Sequence, residues 1–165
     1  FDISDGLENT LLLLQHRLPA REGRRDIKVM KEYGNLPQVE CYAGQLNQAF
    51  LNIINHAIDA LEESSQELDK SESVKFKPVI LISTKVIDSQ RIAIEIADND
   101  LGTSEEIAAL FSDSFLMASP AEHSSPLGLA ISYRIIVEQH KGELKCFSEP
   151  GKGTKFRIEI PLRHS

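Results

Sequence analysis

The chain lacks the features of a secreted or membrane-spanning protein. Its two cysteines, Cys41 and Cys146, lie far apart and form no CxxC pair, so the sequence indicates no disulfide framework and favours a reducing, cytoplasmic setting. No apolar run approaches the roughly 20 residues that a helix needs to span a bilayer, and there is no signal peptide. The sequence begins at Phe1 without a methionine, so we expect it to be a fragment of a longer protein.

An excess of positive charge is also missing. The formal net charge of −7 argues against nucleic acid or an anionic membrane as a general partner, although it does not exclude a local anion site. The 165 residues, of which 41% are hydrophobic and 26% charged, are typical of a soluble globular protein with a real core. We therefore predict a single domain over residues 1–165.

One predicted helix, residues 45–63, carries a distinctive polar face. In its stretch LNIINHAIDA, polar residues recur at i, i+3, i+4 and i+7, so they share one side of the helix. These residues are Asn52, Asn55, His56 and Asp59. Gln48 extends this polar stripe by one turn, and an apolar stripe lies opposite. Because the polar stripe is poor in the Lys and Glu that a merely solvated face usually carries, it indicates a face that binds a ligand or a metal.

The remaining pattern predicts a mixed sheet covered by helices. The strands indicated by apolar stretches span 27–33, 78–84, 91–98, 143–149 and 154–162, with a further extended segment at 38–43. The other predicted helices span 5–18, with Ser4 as its N-cap, 104–111 and 127–141, closed by Gly142. Neighbouring paired strands outnumber crossovers, so the predicted fold is α+β: a two-layer sandwich with a mixed, mostly antiparallel sheet and helices on one face.

Three stretches, in order, resemble the signature motifs of sensor histidine kinases. LNIINHAIDALEE resembles their N box, IEIADNDLGTSEEI their first glycine box, and PLGLAISYRIIVEQHKGELKCFSEPGKGTKFRIEIPL their second glycine box with its helix and closing hairpin. The opening residues, TLLLLQHRL and VECYAGQLNQ, resemble the start of such domains in cyanobacterial-type kinases. The chain is thus identified as a member of the GHKL group, whose ATP-binding Bergerat fold is an α/β sandwich of mixed sheet and three helices.

The resemblance implies how the adenine end of an ATP site is built. Asp98 ends a predicted strand and would accept a hydrogen bond from the exocyclic amine of adenine. Gly102 would lie beneath the ring, and Thr154 matches a family threonine near that Asp. Taken alone, Asp98 is also typical of a strand-end residue that caps its own turn, and Gly102 of a turn glycine. Gly151 and Gly153 match as well but are interpreted as glycines of a hairpin turn.

The resemblance also implies a phosphate and metal end. Leu127 and Gly128 begin a predicted helix, where backbone N–H groups and the helix dipole favour phosphate. Asn52 and His56 align with the two Asn positions of the N box, the second of which holds Mg²⁺ in the family, so both are assigned to the metal. Asn55 and Asp59 lie on the same stripe and are assigned to the nucleotide. The implied cofactors are ATP and Mg²⁺.

The sequence departs from the family pattern around the phosphates. His56 replaces the Asn that holds Mg²⁺, although Mg²⁺ prefers oxygen ligands, and Asp100 replaces a glycine of the first box. Residues 112–125, SDSFLMASPAEHSS, match the ATP lid but contain no Lys, and an irregular segment of this length is usually functional or disordered. The second box has lost its glycines to Glu122, Ser124 and Pro126, the last of which has no backbone donor.

The function implied by the resemblance is that of a protein-histidine kinase. The domain would supply the γ-phosphoryl group of Mg-ATP to a histidine on its own dimerisation domain, which lies outside this chain, and no residue of this chain is assigned a catalytic role. A response regulator would be the partner of the full-length homodimer, and this domain would be cytoplasmic, with no contact to membrane or nucleic acid. His16 lies outside a phosphoacceptor motif and is interpreted as a surface residue.

Two alternatives to an active kinase are left open by the sequence. The departures at His56, Asp100 and Pro126 are also compatible with a degenerate pseudokinase module, which would act in regulation or partner binding with weak or no nucleotide binding. A GHKL ATPase of the chaperone, mismatch-repair or topoisomerase kind is disfavoured. Those enzymes need a Glu base one turn before the metal-binding Asn, and Asn52, which stands there, cannot take up a proton.

Overall fold

The computed structural model describes residues 1–21, 24–67, 76–99, 124–149 and 153–163. At Glu67, 124–127, Ser148 and Glu149 it describes the backbone alone. The helix predicted at 104–111 lies outside the described residues.

Five strands form one mixed sheet: β1 (Lys28–Tyr33), β2 (Val79–Val86), β3 (Arg91–Asp98), β4 (Glu143–Glu149) and β5 (Gly153–Pro161). Their order in the sheet is β1-β2-β3-β5-β4. β1 runs parallel to β2, whereas all the other neighbouring pairs are antiparallel. The predicted mixed, mostly antiparallel sheet is therefore confirmed, and β3 occupies its centre.

Three α-helices accompany the sheet in the described residues: α1 (Ile3–Leu14), α2 (Ala43–Glu67) and α3 (Ser124–Tyr133). α1 continues as a 3-10 turn, Gln15–Arg17, and α3 as a π-helical segment, Arg134–Gln139. α2 is the helix with the polar stripe, and it packs between α1 and α3. No helix in the described ranges is both long and apolar enough to cross a bilayer.

The element ends differ from prediction in three places. The N-cap of α1 is Asp2 rather than Ser4, and its side chain accepts a hydrogen bond from the backbone N–H of Asp5 at 3.2 Å. The extended segment predicted at 38–43 is wrong, because residues 38–42 belong to no strand and α2 already begins at Ala43. α3 begins at Ser124, not at residue 127. Pro126 therefore lies in the first helical turn, where a missing N–H costs no intrahelical bond.

Alternate residues of the strands separate a buried face from a solvated one. The buried face is rich in β-branched Ile, which suits a pleated surface, and it packs against the apolar stripe of α2. The fully buried side chains include Ile80, Ile82, Ile94, Ile96, Phe156, Ile158 and Ile160 from the sheet and Leu46, Phe50, Ile53, Ala57 and Leu61 from α2. On the other face, Arg157 pairs with Glu95 at 3.5 Å and with Glu159 at 3.2 Å. This arrangement is the predicted two-layer sandwich.

The end of α3 is fixed to two neighbouring elements. His140 Nδ1 contacts the carbonyl of Ile135 at 2.7 Å, and its Nε2 accepts a hydrogen bond from the N–H of Tyr42, just before α2, at 3.1 Å. Lys141 turns the chain with a positive φ of 58°. Gly142 then passes so close to β5 that an added Cβ would lie 2.1 Å from the carbonyl oxygen of Glu159. Glycine is required here by close packing. The helix ends at Gln139 and the left-handed residue is Lys141, so the predicted helix end at Gly142 is wrong by a few residues.

We expect Gly142→Ala to lower the free energy of unfolding by about 2 kcal/mol, since the added methyl group forces β5 and the end of α3 apart. The matched control is Gly44→Ala in the first turn of α2, where an added Cβ meets nothing within 4 Å. That change should be neutral or stabilising by up to about 1 kcal/mol, because Ala favours the helix. Urea denaturation of both variants checks this, and similar effects for the two would contradict it.

Candidate functional site

The predicted adenine end lies where the central strand stops. Asp98 is the last residue of β3 and only 6% exposed. It pairs with Thr154 of β5 on one side and with Ile80 of β2 on the other, and Thr154 is also buried. The structure therefore brings together two residues that lie 56 positions apart in the sequence, as the resemblance implied. A buried carboxylate at this position needs hydrogen-bond donors around it.

Gly153 permits this close pairing of β3 and β5. Its φ is +97°, and an added Cβ would lie 2.1 Å from the carbonyl oxygen of Asp98. Its role thus differs from the prediction: it is the first residue of β5 and lets that strand approach Asp98, rather than serving only as a turn glycine. Both the left-handed conformation and the close contact exclude any side chain.

Asn99 fixes the backbone next to Asp98. Its side-chain oxygen accepts a hydrogen bond from the N–H of Val79 at 2.7 Å, and its side-chain nitrogen donates to the carbonyl of Lys77 at 2.8 Å. The amide group thus bonds the carbonyl of Lys77 and the N–H of Val79, where the chain enters β2. Sequence analysis did not single out Asn99, although Asn directly after a strand is a residue that often bonds to nearby backbone.

The predicted phosphate end joins α2 to α3. The side-chain nitrogen of Asn52 donates to the carbonyl of Gly128 at 3.1 Å, and its oxygen accepts from Gln48 at 2.9 Å. An added Cβ at Gly128 would make only ordinary contact with Asn52, at 3.7 Å. Packing among the described residues therefore does not require glycine at 128. Of Leu127 only the backbone, in the first turns of α3, is described.

His56 turns away from the open part of the polar stripe. The residue is 6% exposed, and its ring packs edge-on against Phe156 of β5 with the ring centroids 5.5 Å apart. A buried imidazole in an aromatic contact is a poor ligand for Mg²⁺, which prefers oxygen. Among the described side chains, no group of three or more His, Cys, Asp or Glu is placed to hold a metal ion. Asn52 is then the stripe residue beside Gly128 that offers an oxygen.

The other half of the stripe is engaged by Arg17, from the turn after α1. Its guanidinium donates to the side-chain oxygen of Asn55 at 2.8 Å, to Asp59 at 2.7 Å and to Glu62 at 3.2 Å. The stripe is therefore divided: Asn52 faces α3, His56 faces the sheet, and Asn55 and Asp59 face Arg17. The sequence alone does not single out Arg17, because it lies 38 residues before Asn55 and nothing in the stretch TLLLLQHRL indicates that its side chain reaches α2.

A second arginine holds the segment that carries Arg17. The Arg24 side chain is buried and donates to the carbonyls of Arg17 at 2.7 Å, Arg25 at 2.9 Å and Pro19 at 3.2 Å. It also lies 3.6 Å from the carboxylate of Glu62. Burial lowers the pKa of Arg24 below its ordinary value, and the nearby Glu62 carboxylate opposes that shift. Arg24 thus anchors this loop to α2.

Several predicted site residues lie outside the described part of the chain. These are Gly102, the departures Asp100 and Glu122, and residues 112–123 of the expected lid. The last two residues of that expected lid, 124 and 125, are the first two of α3.

Comparison with known proteins places this arrangement in a family. The family model described as histidine kinase-, DNA gyrase B-, and HSP90-like ATPase matches residues 42–164. Sporulation kinase E of Bacillus subtilis (strain 168) is 30% identical over 131 residues, which are 79% of this chain and 16% of that protein. The chain therefore spans about a sixth of the length of that relative.

Two solved structures share the fold. Full-length ShkA in complex with AMPPNP matches with a TM-score of 0.75 and 23% identity, over 100% of this chain and 31% of that one. Histidine kinase ThkA in complex with the response regulator TrrA matches with a TM-score of 0.69 and 20% identity, over 98% of this chain and 41% of that one. These findings do not favour the pseudokinase alternative. The chain belongs to the histidine kinase-, DNA gyrase B-, and HSP90-like ATPase family and is an ATPase domain of the sensor-histidine-kinase type.

Proposed function

We propose that this chain binds ATP between the polar stripe of α2, the first turns of α3 and the end of β3. Within a longer protein it would supply the γ-phosphoryl group to a histidine on a separate dimerisation domain. The observation that carries the proposal is the buried carboxylate of Asp98 at the end of the central strand, opposite Thr154.

Asp98 would recognise the adenine base. An ionised carboxylate only accepts hydrogen bonds, so it favours the exocyclic amine of adenine over the carbonyl oxygen of guanine at the same position. Because Asp98 is buried, little water competes for that bond. Asn99 and Gly153 hold the backbone on either side, so the carboxylate is positioned before the nucleotide arrives. Gly102 would lie under the base, as the family resemblance implies.

The start of α3 would receive the phosphates. Backbone N–H groups in the first turn of a helix lack intrahelical partners and carry partial positive charge. Pro126 removes one of these donors, and because α3 begins at Ser124, the N–H of Gly128 bonds within the helix. Gly128 would therefore serve through its missing side chain, which leaves room for a phosphate. Asn52 fixes this end of α3 to α2 through the carbonyl of Gly128, which keeps the N–H groups aligned beside the polar stripe.

Mg²⁺ would be held with little help from the protein. Asn52 offers one amide oxygen, and His56 lies against Phe156. Mg²⁺ is commonly bound by one or two protein oxygens together with phosphate oxygens and water, and the Asn52 oxygen fits that pattern. When bound, the ion would neutralise phosphate charge. The chain's own contribution is to place the oxygen of Asn52 beside the phosphate end.

Phosphoryl transfer would then depend on positioning. Such reactions need an aligned donor and acceptor and stabilised phosphate charge, with little covalent chemistry by the protein. The acceptor nitrogen would come from the dimerisation domain, outside this chain. No residue described here is proposed as a base, which agrees with Asn52 standing where related ATPases carry a glutamate.

The partners follow from the same proposal. The ThkA structure contains a response regulator, and we propose a response regulator as the phosphoryl acceptor downstream of this chain's full-length protein, acting as a homodimer. A cytoplasmic location suits both ATP and such a partner. The net charge of −7 supports neither nucleic acid nor an anionic membrane as a partner of this domain.

We expect Asp98→Asn to weaken ATP binding about 10- to 100-fold, since an amide makes a weaker bond to the adenine amine than a buried carboxylate does. Isothermal titration with ATP and Mg²⁺ measures this. The control is Asp88→Asn in the exposed turn after β2, where the carboxylate accepts only a local bond from Gln90. Two results would refute the proposed function. One is an ATP affinity that Asp98→Asn leaves unchanged, and the other is no detectable binding by the wild-type chain at millimolar ATP.

A second substitution tests whether position 56 reaches the metal. His56→Asn restores the residue that holds Mg²⁺ in the family, but position 56 is buried against Phe156, so we expect ATP affinity to change equally in Mg²⁺ and in EDTA. Loss of the ring contact with Phe156 should lower the free energy of unfolding by about 1–3 kcal/mol, which thermal denaturation detects. A rise of roughly threefold or more in Mg²⁺ but not in EDTA would contradict this and show that position 56 reaches the metal.

A further inference from the structure

Bound nucleotide phosphates need a cation that most of the site cannot provide. A triphosphate is strongly anionic, and Lys or Arg side chains usually help to neutralise it. Yet residues 92–133, which include Asp98, Gly128 and the expected lid, contain no Lys or Arg. α2 contains none either, while it carries Asp59 and Glu62 on or beside its polar stripe. A cationic side chain that assists Mg²⁺ would therefore come from another element.

Arg17 is the basic side chain that reaches this stripe in the described structure. Its guanidinium lies 2.8 Å from Asn55, the neighbour of His56, and 2.7 Å from Asp59, one turn further along α2. The Arg17 side chain is 19% exposed and the Asp59 side chain 49%. The guanidinium is thus held at the boundary between the packed helices and the open side of the stripe. It reaches the stripe from the α1 side, whereas Gly128 approaches from the α3 side.

Hydrogen bonds link the segment that carries Arg17 to the end of the sheet at which Asp98 lies. The carbonyl of Leu18, next to Arg17, accepts from the N–H of Ile27, and the N–H of Lys28 donates to the carbonyl of Pro78. The neighbouring carbonyl, that of Lys77, accepts from the side chain of Asn99. These contacts connect the segment that carries Arg17 to the end of β3 at which Asp98 lies.

We propose that Arg17 is the cationic residue that binds the phosphate tail of the nucleotide, and that Asn55, Asp59 and Glu62 hold its guanidinium in position beforehand. This inference rests on the proposed function. A guanidinium has five N–H donors, and its bonds to α2 use the two terminal nitrogens, so donors remain for phosphate oxygens. Arg24 supports the arrangement by fixing the carbonyl of Arg17.

A simpler role for Arg17 would be to neutralise Asp59, which would otherwise repel the phosphates, whereas Glu62 keeps Arg21 and Arg24 as partners. The two roles make different predictions for a double variant. If Arg17 only neutralises Asp59, then Arg17→Gln combined with Asp59→Asn should recover ATP affinity. If Arg17 binds phosphate itself, the double variant should remain as weak as Arg17→Gln alone.

The experiment is isothermal titration of the wild-type chain and these variants with ATP, ADP and adenosine at fixed ionic strength. We expect Arg17→Gln to weaken ATP binding about tenfold or more and ADP binding less, with adenosine unchanged within about twofold. Arg17→Lys should be intermediate, because a single ammonium replaces the planar fork of the guanidinium. The matched control is Arg21→Gln, which removes an equal charge from the same loop. In the described structure Arg21 lies 3.7 Å from Glu62 and makes no contact with Asn55 or Asp59.

Two results would overturn the proposal for Arg17 while the proposed function stands. One is an equal loss of affinity for ATP and adenosine accompanied by a lower unfolding temperature, which indicates a structural role. The other is recovery of ATP affinity in the Arg17→Gln, Asp59→Asn double variant. If the wild-type chain binds no ATP, or binds it independently of Asp98, the proposed function fails and the role of Arg17 fails with it.

Discussion

The packing of α2 against the sheet is the constraint on which the rest of the structure depends. Phe50, Ile53, Ala57 and Leu61 are fully buried against the Ile-rich face of the strands. Burial of each large apolar side chain contributes roughly 1.5–3 kcal/mol, so the rotation of this helix about its axis is strongly determined. The two stripes lie on opposite sides of one rigid helix. Burial of the apolar stripe therefore also fixes the direction that the polar stripe faces.

That polar stripe is divided among three neighbours, and each contact has a different physical basis. Asn52 bonds the backbone of α3, His56 packs against an aromatic ring of β5, and Asn55 and Asp59 bond a guanidinium that belongs to the α1 side. On a helical projection the stripe is continuous, but in the fold three neighbours contact it: α3, β5 and the turn after α1. Side chains one turn apart therefore serve different purposes, and only part of the stripe would face the proposed nucleotide.

The distribution of charge explains how an acidic chain would accept a polyanion. Residues 92–133 and α2 contain acidic side chains but no Lys or Arg, whereas four arginines occur between residues 17 and 25. Arg24 is buried among backbone carbonyls and Arg17 reaches α2. These arginines place positive charge beside the acidic residues of α2, and the first-turn N–H groups of α3 add partial positive charge at the other side of the stripe.

Local periodicity predicts the fold class, the strands and the two-faced helix, and the family resemblance implies that Thr154 lies near Asp98. The N-cap at Asp2 and the irregular segment 38–42 were mispredicted because neighbouring alternatives differ little in local propensity. The contact of Arg17 with Asn55 and Asp59, the packing of His56 against Phe156 and the requirement for glycine at 153 follow only from the folded structure. Each of these depends on contacts between residues far apart in the chain, whose distances arise from the packing of whole elements and leave no periodic signal.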